Sequence, residues 1–213
     1  MIASRQGGAD PNMNPRLRMV LLKCRSANMP SDNIERAIKR GVGGGDGAEL
    51  EELTYEVYGP NGVAMLVELN TDNRNRTAAE LRSLLTKNGG AIATSGAVTR
   101  LFQKKGQMII RRDAATEDQL MELALEAGAE DFKAEPEGYE ILTDPGHFEA
   151  VHKKLEEKGI KPDAAQVAPL PLITVPLEDP GAVAAVSKLI EALEEHEDVK
   201  EVYTNAQFPS GGD

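Results

Sequence analysis

Residues 107–168 read QMIIRRDAATEDQLMELALEAGAEDFKAEPEGYEILTDPGHFEAVHKKLEEKGIKPDAAQVA, and this stretch decides the fold. Residues 107–111 form a short apolar run rich in isoleucine, which predicts a strand. Residues 116–127 set Leu120, Leu123 and Ala124 on one helical face, and Gly128 ends that helix. Residues 130–135 and 139–143 flank Pro136-Glu137-Gly138, which predicts a hairpin. Asp144-Pro145 caps a second helix that runs to Lys158 and stops at Gly159. Residues 161–168 are the last strand. The order is βαββαβ, the ferredoxin-like pattern.

Partial patterns lie on either side. Residues 54–58 and 63–70 read as strands joined by the turn cluster Gly59-Pro60-Asn61-Gly62. Residues 75–88 read as a helix with Ala78, Leu81, Leu84 and Leu85 inward, and residues 97–103 as another strand. Past the βαββαβ unit, residues 173–177 and 199–205 read as strands. Between them Asp179-Pro180 caps a helix with Val183, Val186, Leu189, Ile190 and Leu193 on its core face. Neither flank completes a small domain. Together they make one sheet with two helices, interrupted by the ferredoxin-like unit; two separate domains are the alternative.

The N-terminal end differs. Residues 1–13 are polar and Gly-rich and are expected to be loose. Asn14-Pro15 opens a helix with Leu17, Val20, Leu21 and Cys24 on one face. Ser31 or Asp32 caps a second, with Ile34, Ala37 and Ile38 inward and Arg36, Lys39 and Arg40 opposite. Gly41 stops it, and Gly43 to Gly47 reads as a linker. Two short amphipathic helices need a third partner. Nothing before Asn14 reads as one, so the chain is expected to begin inside a domain. The expected architecture is therefore α+β and multidomain. Residues 1–47 form an incomplete helical bundle and linker, 53–105 plus 169–213 a discontinuous α+β domain, and 106–168 an inserted ferredoxin-like domain.

Composition narrows the function. The chain has 213 residues, 24 Lys+Arg against 35 Asp+Glu, and a net charge of −11. Residues 1–45 hold eight basic and three acidic residues, or +5, so the rest carries −16. A basic head on an acidic body points to a polyanion-facing end. The single cysteine, Cys24, excludes an intramolecular disulfide. No apolar run approaches the ~20 residues of a membrane span, and residues 1–10 lack the apolar core of a signal peptide. Trp is absent and aromatic residues make up 4%, which argues against base-stacking platforms.

Catalytic chemistry finds little support. His147 and His152 are five apart and share no helical face for a metal, and His196 stands alone at a helix end. Cys24 falls on a buried stripe. No carboxylate pair stands out. The Gly43 to Gly47 stretch lacks the Gly-Lys-Ser/Thr ending of a phosphate loop. No catalytic, cofactor or metal residue is assigned. The candidate site is the basic set Arg16, Arg18, Lys23, Arg25, Arg36, Lys39, Arg40, Arg74 and Arg76. Arg74 and Arg76 sit in the polar run Thr71-Asp72-Asn73-Arg74-Asn75-Arg76-Thr77, which is either an Asn/Asp-rich turn with structural arginines or a loop that meets phosphate.

Several of these stretches match a known family. They are Asp10-Pro11-Asn12-Met13-Asn14-Pro15-Arg16-Leu17-Arg18, residues 27–40, Tyr58-Gly59-Pro60-Asn61-Gly62-Val63, the 71–77 run, and Val202-Tyr203-Thr204-Asn205. The chain resembles the YebC family, which includes the mitochondrial translational activator of cytochrome c oxidase. The resemblance implies a helical bundle, an α+β domain and a ferredoxin-like domain inserted into it. It implies a non-enzymatic, cytoplasmic regulator of gene expression. Some members are described as DNA-binding transcriptional regulators; others associate with ribosomes or messenger RNA and act in translation. An effector-binding or protein-interaction module is a further alternative, and protein factors on the acidic domains are expected partners. Family members usually begin with a basic segment rich in Lys, His and Trp; this sequence starts after it, which reads either as a start assigned too late or as a member that lacks the segment.

Overall fold

The computed structural model describes residues 2–42 and 50–209. The Arg40 side chain and the linker expected at 43–47 lie outside the described parts. In chain order the elements are α1 (Ile2–Gly7), α2 (Pro15–Ser26), α3 (Ser31–Val42), β1 (Glu51–Tyr58), β2 (Ala64–Thr71), α4 (Arg74–Lys87), β3 (Ala91–Ile92) and β4 (Phe102–Arg111). Then come α5 (Glu117–Glu126), β5 (Asp131–Glu135), β6 (Gly138–Thr143), α6 (Phe148–Glu157), β7 (Ala164–Pro171), β8 (Val175–Pro176), α7 (Pro180–Glu194), β9 (Val199–Thr204) and β10 (Ala206–Gln207). The fold is mixed α+β. The chain divides into two compact units: Met1–Gly47 with Lys104–Ala168, and Ala48–Gln103 with Pro169–Asp213.

In the first unit the head corrects one expectation. The 1–13 stretch is expected to be loose, but Ile2–Gly7 form a helix: α1 packs against both α2 and α3, and Ala3 and Ser4 are buried. The organiser is Asn14, itself buried. Its Oδ1 accepts the Leu17 N–H at 3.0 Å, and its Nδ2 donates to the Ala3 and Gly8 carbonyls, both at 2.8 Å. One side chain thus caps α2 and fastens α1. Gly7 makes room for it, since a Cβ there would stand 2.7 Å from the Asn14 amide. A six-residue helix is too short to show a readable period and forms only through such packing.

The remainder of the first unit is a four-stranded sheet in the order β5-β6-β4-β7, with α5 and α6 supplying core residues. Met108, Ile110, Leu120, Ala124, Ile141, Phe148, Val151 and Leu155 are buried there. Met19 and Leu22 of α2 pack against the same core.

The second unit has a sheet in the order β3-β1-β2-β9. Both neighbours of β2 run antiparallel to it, with Val57 opposite Met65 and Val202 opposite Val67. Met65, Val67 and Leu69 pack on Leu81 and Leu85 of α4 and on Val186, Leu189 and Leu193 of α7. On the opposite face Ala64 and Leu66 meet Val98 and Phe102. The short β8 and β10 pair in parallel as a separate ribbon.

The strand expected at 97–103 does not form. Residues 99–101 are a 3₁₀ turn, and the next strand starts at Phe102 and runs unbroken to Arg111. The cause is Glu56. Its carboxylate accepts N–H bonds from Gly96 (2.6 Å), Val98 (2.6 Å) and Thr99 (2.8 Å), which removes those donors from any ladder. Burial pushes the Glu56 carboxyl up, but the donated hydrogen bonds outweigh it and hold its pKa below the ordinary value.

Candidate nucleic-acid interface

The nine basic residues separate into groups with different surroundings. On α2, Arg18 and Lys23 flank the Met19 and Leu22 contact. Arg18 Nε pairs with Glu149 Oε1 on α6 at 2.8 Å, and Lys23 Nζ donates to Gln166 Oε1 on β7 at 3.0 Å. Both cations therefore clamp α2 to the sheet half of its own unit. Arg16 is exposed and bonds Gln6 on α1. Arg25 is exposed and has no ion pair among the described residues.

On α3, Arg36 and Lys39 are exposed. Among the described residues Arg36 bonds to its own helix, donating from Nε to the Asp32 carbonyl at 3.2 Å and from Nη2 to Asn33 Oδ1. Among the described residues, Arg25, Arg36 and Lys39 thus have no ion pair at the surface of the head. Arg16 joins them by exposure.

Arg74 and Arg76 belong to the second unit, at the start of α4. Asn73 caps this helix, its Oδ1 accepting the Arg76 N–H at 3.1 Å. Arg74 is exposed, with Glu51 at 3.5 Å. Arg76 has a different role. Its Nη2 donates to Asp198 Oδ1 and Oδ2 at 3.0 and 2.9 Å, and lies 3.2 Å from Asp72 Oδ1. The buried Thr77 hydroxyl donates to Asp198 Oδ2 at 2.5 Å and stands 2.7 Å from the Thr71 hydroxyl. Burial pushes the Asp198 carboxyl up; hydrogen bonds from Thr77 and Arg76, with the Arg76 charge, hold its pKa below the ordinary aspartate value. The hydrogen bond to Asp198, with the surrounding carboxylates, raises the Arg76 pKa. The 71–77 run is a structural staple built on Arg76, while Arg74 faces outward.

Next to this staple, Glu80, His196 and Asp198 place ligand-type atoms within 4.8 Å of one another. The donor set does not suit a cation. Both Asp198 oxygens are engaged by the Arg76 guanidinium. His196 Nδ1 accepts the Asp198 N–H at 3.2 Å, and its Nε2 meets Glu80 Oε2 at 3.2 Å. His152 stacks on Phe148 with ring centroids 6.0 Å apart, and Cys24 is half-buried. No nucleophile–base pair emerges from these groups.

The open face of the β5-β6-β4-β7 sheet offers no stacking platform. Its aromatics, Phe132 and Tyr139, stack on each other at 5.7 Å on the helix-covered side, where Tyr139 is buried. Lys133 and Glu140 pair at 3.1 Å on the other face.

Sequence reasoning missed Asp198, Glu56 and the second role of Asn14. The partners of Asp198 lie about 120 positions upstream, and no local pattern announces them. Asn14 was legible as a cap but not as the anchor of α1.

The geometry defines a two-unit α+β protein with a basic helical head and no assembled catalytic centre among the described residues. Comparison with known proteins gives the family. Residues 1–44 match the TACO1/YebC protein N-terminal domain, and residues 50–206 match the TACO1/YebC second and third domain. The chain belongs to the TACO1/YebC family. It is 50% identical to a "Probable transcriptional regulatory protein" of Halothermothrix orenii, over 98% of this chain and 83% of that one. A protein of the same description from Pelotomaculum thermopropionicum is 47% identical over 98% of this chain and 86% of its own length. The crystal structure of a conserved hypothetical protein from Aquifex aeolicus superposes with a TM-score of 0.86 at 42% identity, covering 99% of this chain and 86% of that chain. No helix among the described residues is long and apolar enough to cross a membrane.

Proposed function

We propose that this chain is a non-enzymatic regulator of gene expression that grips nucleic acid by its phosphates, acting in translation on the ribosome or its RNA. The observation that carries this reading is the set Arg25, Arg36 and Lys39, exposed and without an ion pair among the described residues, together with the exposed Arg16, on the head of an otherwise acidic chain. The relatives' names support a regulatory role. Arg74 is a secondary contact, whereas Arg18, Lys23 and Arg76 hold the fold. A cytoplasmic setting goes with this role.

Three domains fit the reading. The ferredoxin-like domain read at 106–168 draws support from a strand order in which β5 pairs with β6 and β4 lies between β6 and β7. It is inserted between the β1-to-β3 half of the second unit and its α7–β9 half. The helical head is the third domain.

The DNA-binding alternative draws on the printed names of the relatives, which specify transcription. Sedimentation through a sucrose gradient at moderate salt separates the two. The protein is expected to travel with ribosomes, and the triple variant Arg25→Glu, Arg36→Glu, Lys39→Glu to stay at the top. If the wild type stays at the top and instead shifts duplex DNA in a gel, the transcriptional reading replaces this one.

A further inference from the structure

Helix α5 presents a surface that its own fold does not explain. Its sequence, EDQLMELALE, holds four carboxylates and no cation. Leu120 and Ala124 are buried and account for its packing. At 100° per residue, Asp118, Glu122 and Glu126 form a ridge at i, i+4, i+8 on the outer side. All three are exposed, and none has an ion pair among the described residues. On one flank of the ridge Met121 and Leu125 are 42% and 57% exposed. On the other side Glu122 and Glu126 themselves edge a groove of about 440 Å³, whose remaining lining is Ala114, Ala115, Gln119, Leu123, Lys158 and Ile160.

Helix stability accounts for Asp118, in the first turn, but not for Glu122 and Glu126. Like charges four residues apart destabilise a helix, and a carboxylate at a helix C-terminus opposes the dipole, as Glu126 does. The neighbouring α6 does the opposite and pairs Lys153 with Glu157 at 3.9 Å. An acidic ridge with the exposed Met121 and Leu125 on one side and a groove of mixed lining on the other matches one kind of occupant: a segment with Lys or Arg at four-residue spacing beside apolar side chains.

We propose that the α5 face docks a cationic, amphipathic segment of a partner protein. Carboxylates of the ridge meet the cations in register, while Met121, Leu125 and the groove take the apolar side chains. This surface is independent of the phosphate-gripping head, so the proposal stands or falls apart from the nucleic-acid reading.

The test uses the full chain and a synthetic peptide of about 15 residues with Lys at four-residue spacing flanked by Leu. Binding is followed by fluorescence anisotropy, and the contact is mapped by amide chemical shifts. Shifts concentrated on residues 114–126 and 158–160 are expected. Glu122→Lys with Glu126→Lys is expected to weaken binding about tenfold or more, and Met121→Ser with Leu125→Ser to weaken it several-fold. The control pair Glu191→Lys, Glu195→Lys on α7 makes the same charge change and is expected to leave binding within twofold. Equal loss in both charge pairs means attraction by net charge alone and overturns the proposal, as does binding that neither pair alters. Concentration-dependent self-association abolished by the α5 pair makes the occupant a second copy of this chain, which also overturns it. Circular dichroism of each variant confirms folding, and Glu122→Gln with Glu126→Gln serves if the lysine pair does not fold.

Discussion

Arg76 and Asp198 stand 122 residues apart in sequence and meet with one guanidinium nitrogen 3.0 and 2.9 Å from the two carboxylate oxygens. This contact ties the start of α4 to the turn between α7 and β9, two segments that the inserted βαββαβ stretch keeps far apart along the chain. Thr77 and Thr71 complete it from the α4 side.

Loss of that carboxylate is the first expected effect. Asp198→Ala takes the carboxylate acceptor from the buried Thr77 hydroxyl and from Arg76, and is expected to cost about 2 kcal/mol, the range for removing a buried charged acceptor. The denaturation midpoint in urea reads it, and a midpoint equal to the wild type's contradicts the staple.

The pH dependence has a definite sign. Because Asp198 titrates below the ordinary aspartate value, its contribution is fully present above about pH 4 and is lost as pH falls through the lower folded-state value. The stability gap between wild type and Asp198→Asn is therefore expected to narrow on acidification from pH 5 to pH 2. A gap that widens over that range reverses the assignment.

Asn14→Ala removes the cap of α2 and both carbonyl partners on the α1 side. The expected cost is about 2 kcal/mol, the upper range for caps, because the bonds are buried. Hydrogen exchange offers the sharper readout: amides of α1 and the first turn of α2 should lose protection, with those of the second unit unchanged.

Exchange of Arg25, Arg36 and Lys39 for Glu is expected to abolish nucleic-acid binding with less than about 0.5 kcal/mol loss of stability, the usual range for surface substitutions. Single Ala substitutions should each lower the slope of log affinity against log salt by just under one. Arg76→Ala is the contrast, since it should lower stability before it lowers binding.

Glu56→Ala leaves the N–H groups of Gly96, Val98 and Thr99 without their acceptor. Those amides should exchange faster, and the 94–101 segment should become a site of proteolysis. Protection equal to the wild type's would show that the carboxylate does not hold this loop.

Legibility in the sequence followed the range of the interactions. The βαββαβ order, the Asn14 and Asp179 caps and the core faces of α4 and α7 are local patterns, and each is present as expected. α1 was invisible because six residues carry no period and its stability comes from Asn14 and two neighbouring helices. The missing strand at 97–103 was misread for a similar reason: a carboxylate some forty positions upstream takes its backbone donors. Among the basic residues, charge was legible but employment was not. Lys23 and Arg25 are two residues apart on one helix, yet the first meets Gln166 and the second meets no described partner.

The placement of β9 beside β2 also bears on how this molecule is made. Synthesis proceeds from the N-terminus, and domains generally fold in that order. Here the strand that covers Met65, Val67 and Leu69 on the edge of β2 is among the last to be translated, while all strands of the inserted sheet exist by residue 171. The later-starting sheet can therefore close first, and the earlier one must hold a half-built apolar surface until residues 199–204 arrive. A ribosome that halts between these points would display a finished first unit and an open second one, a nascent chain with an exposed strand edge and the hazards that such an edge carries.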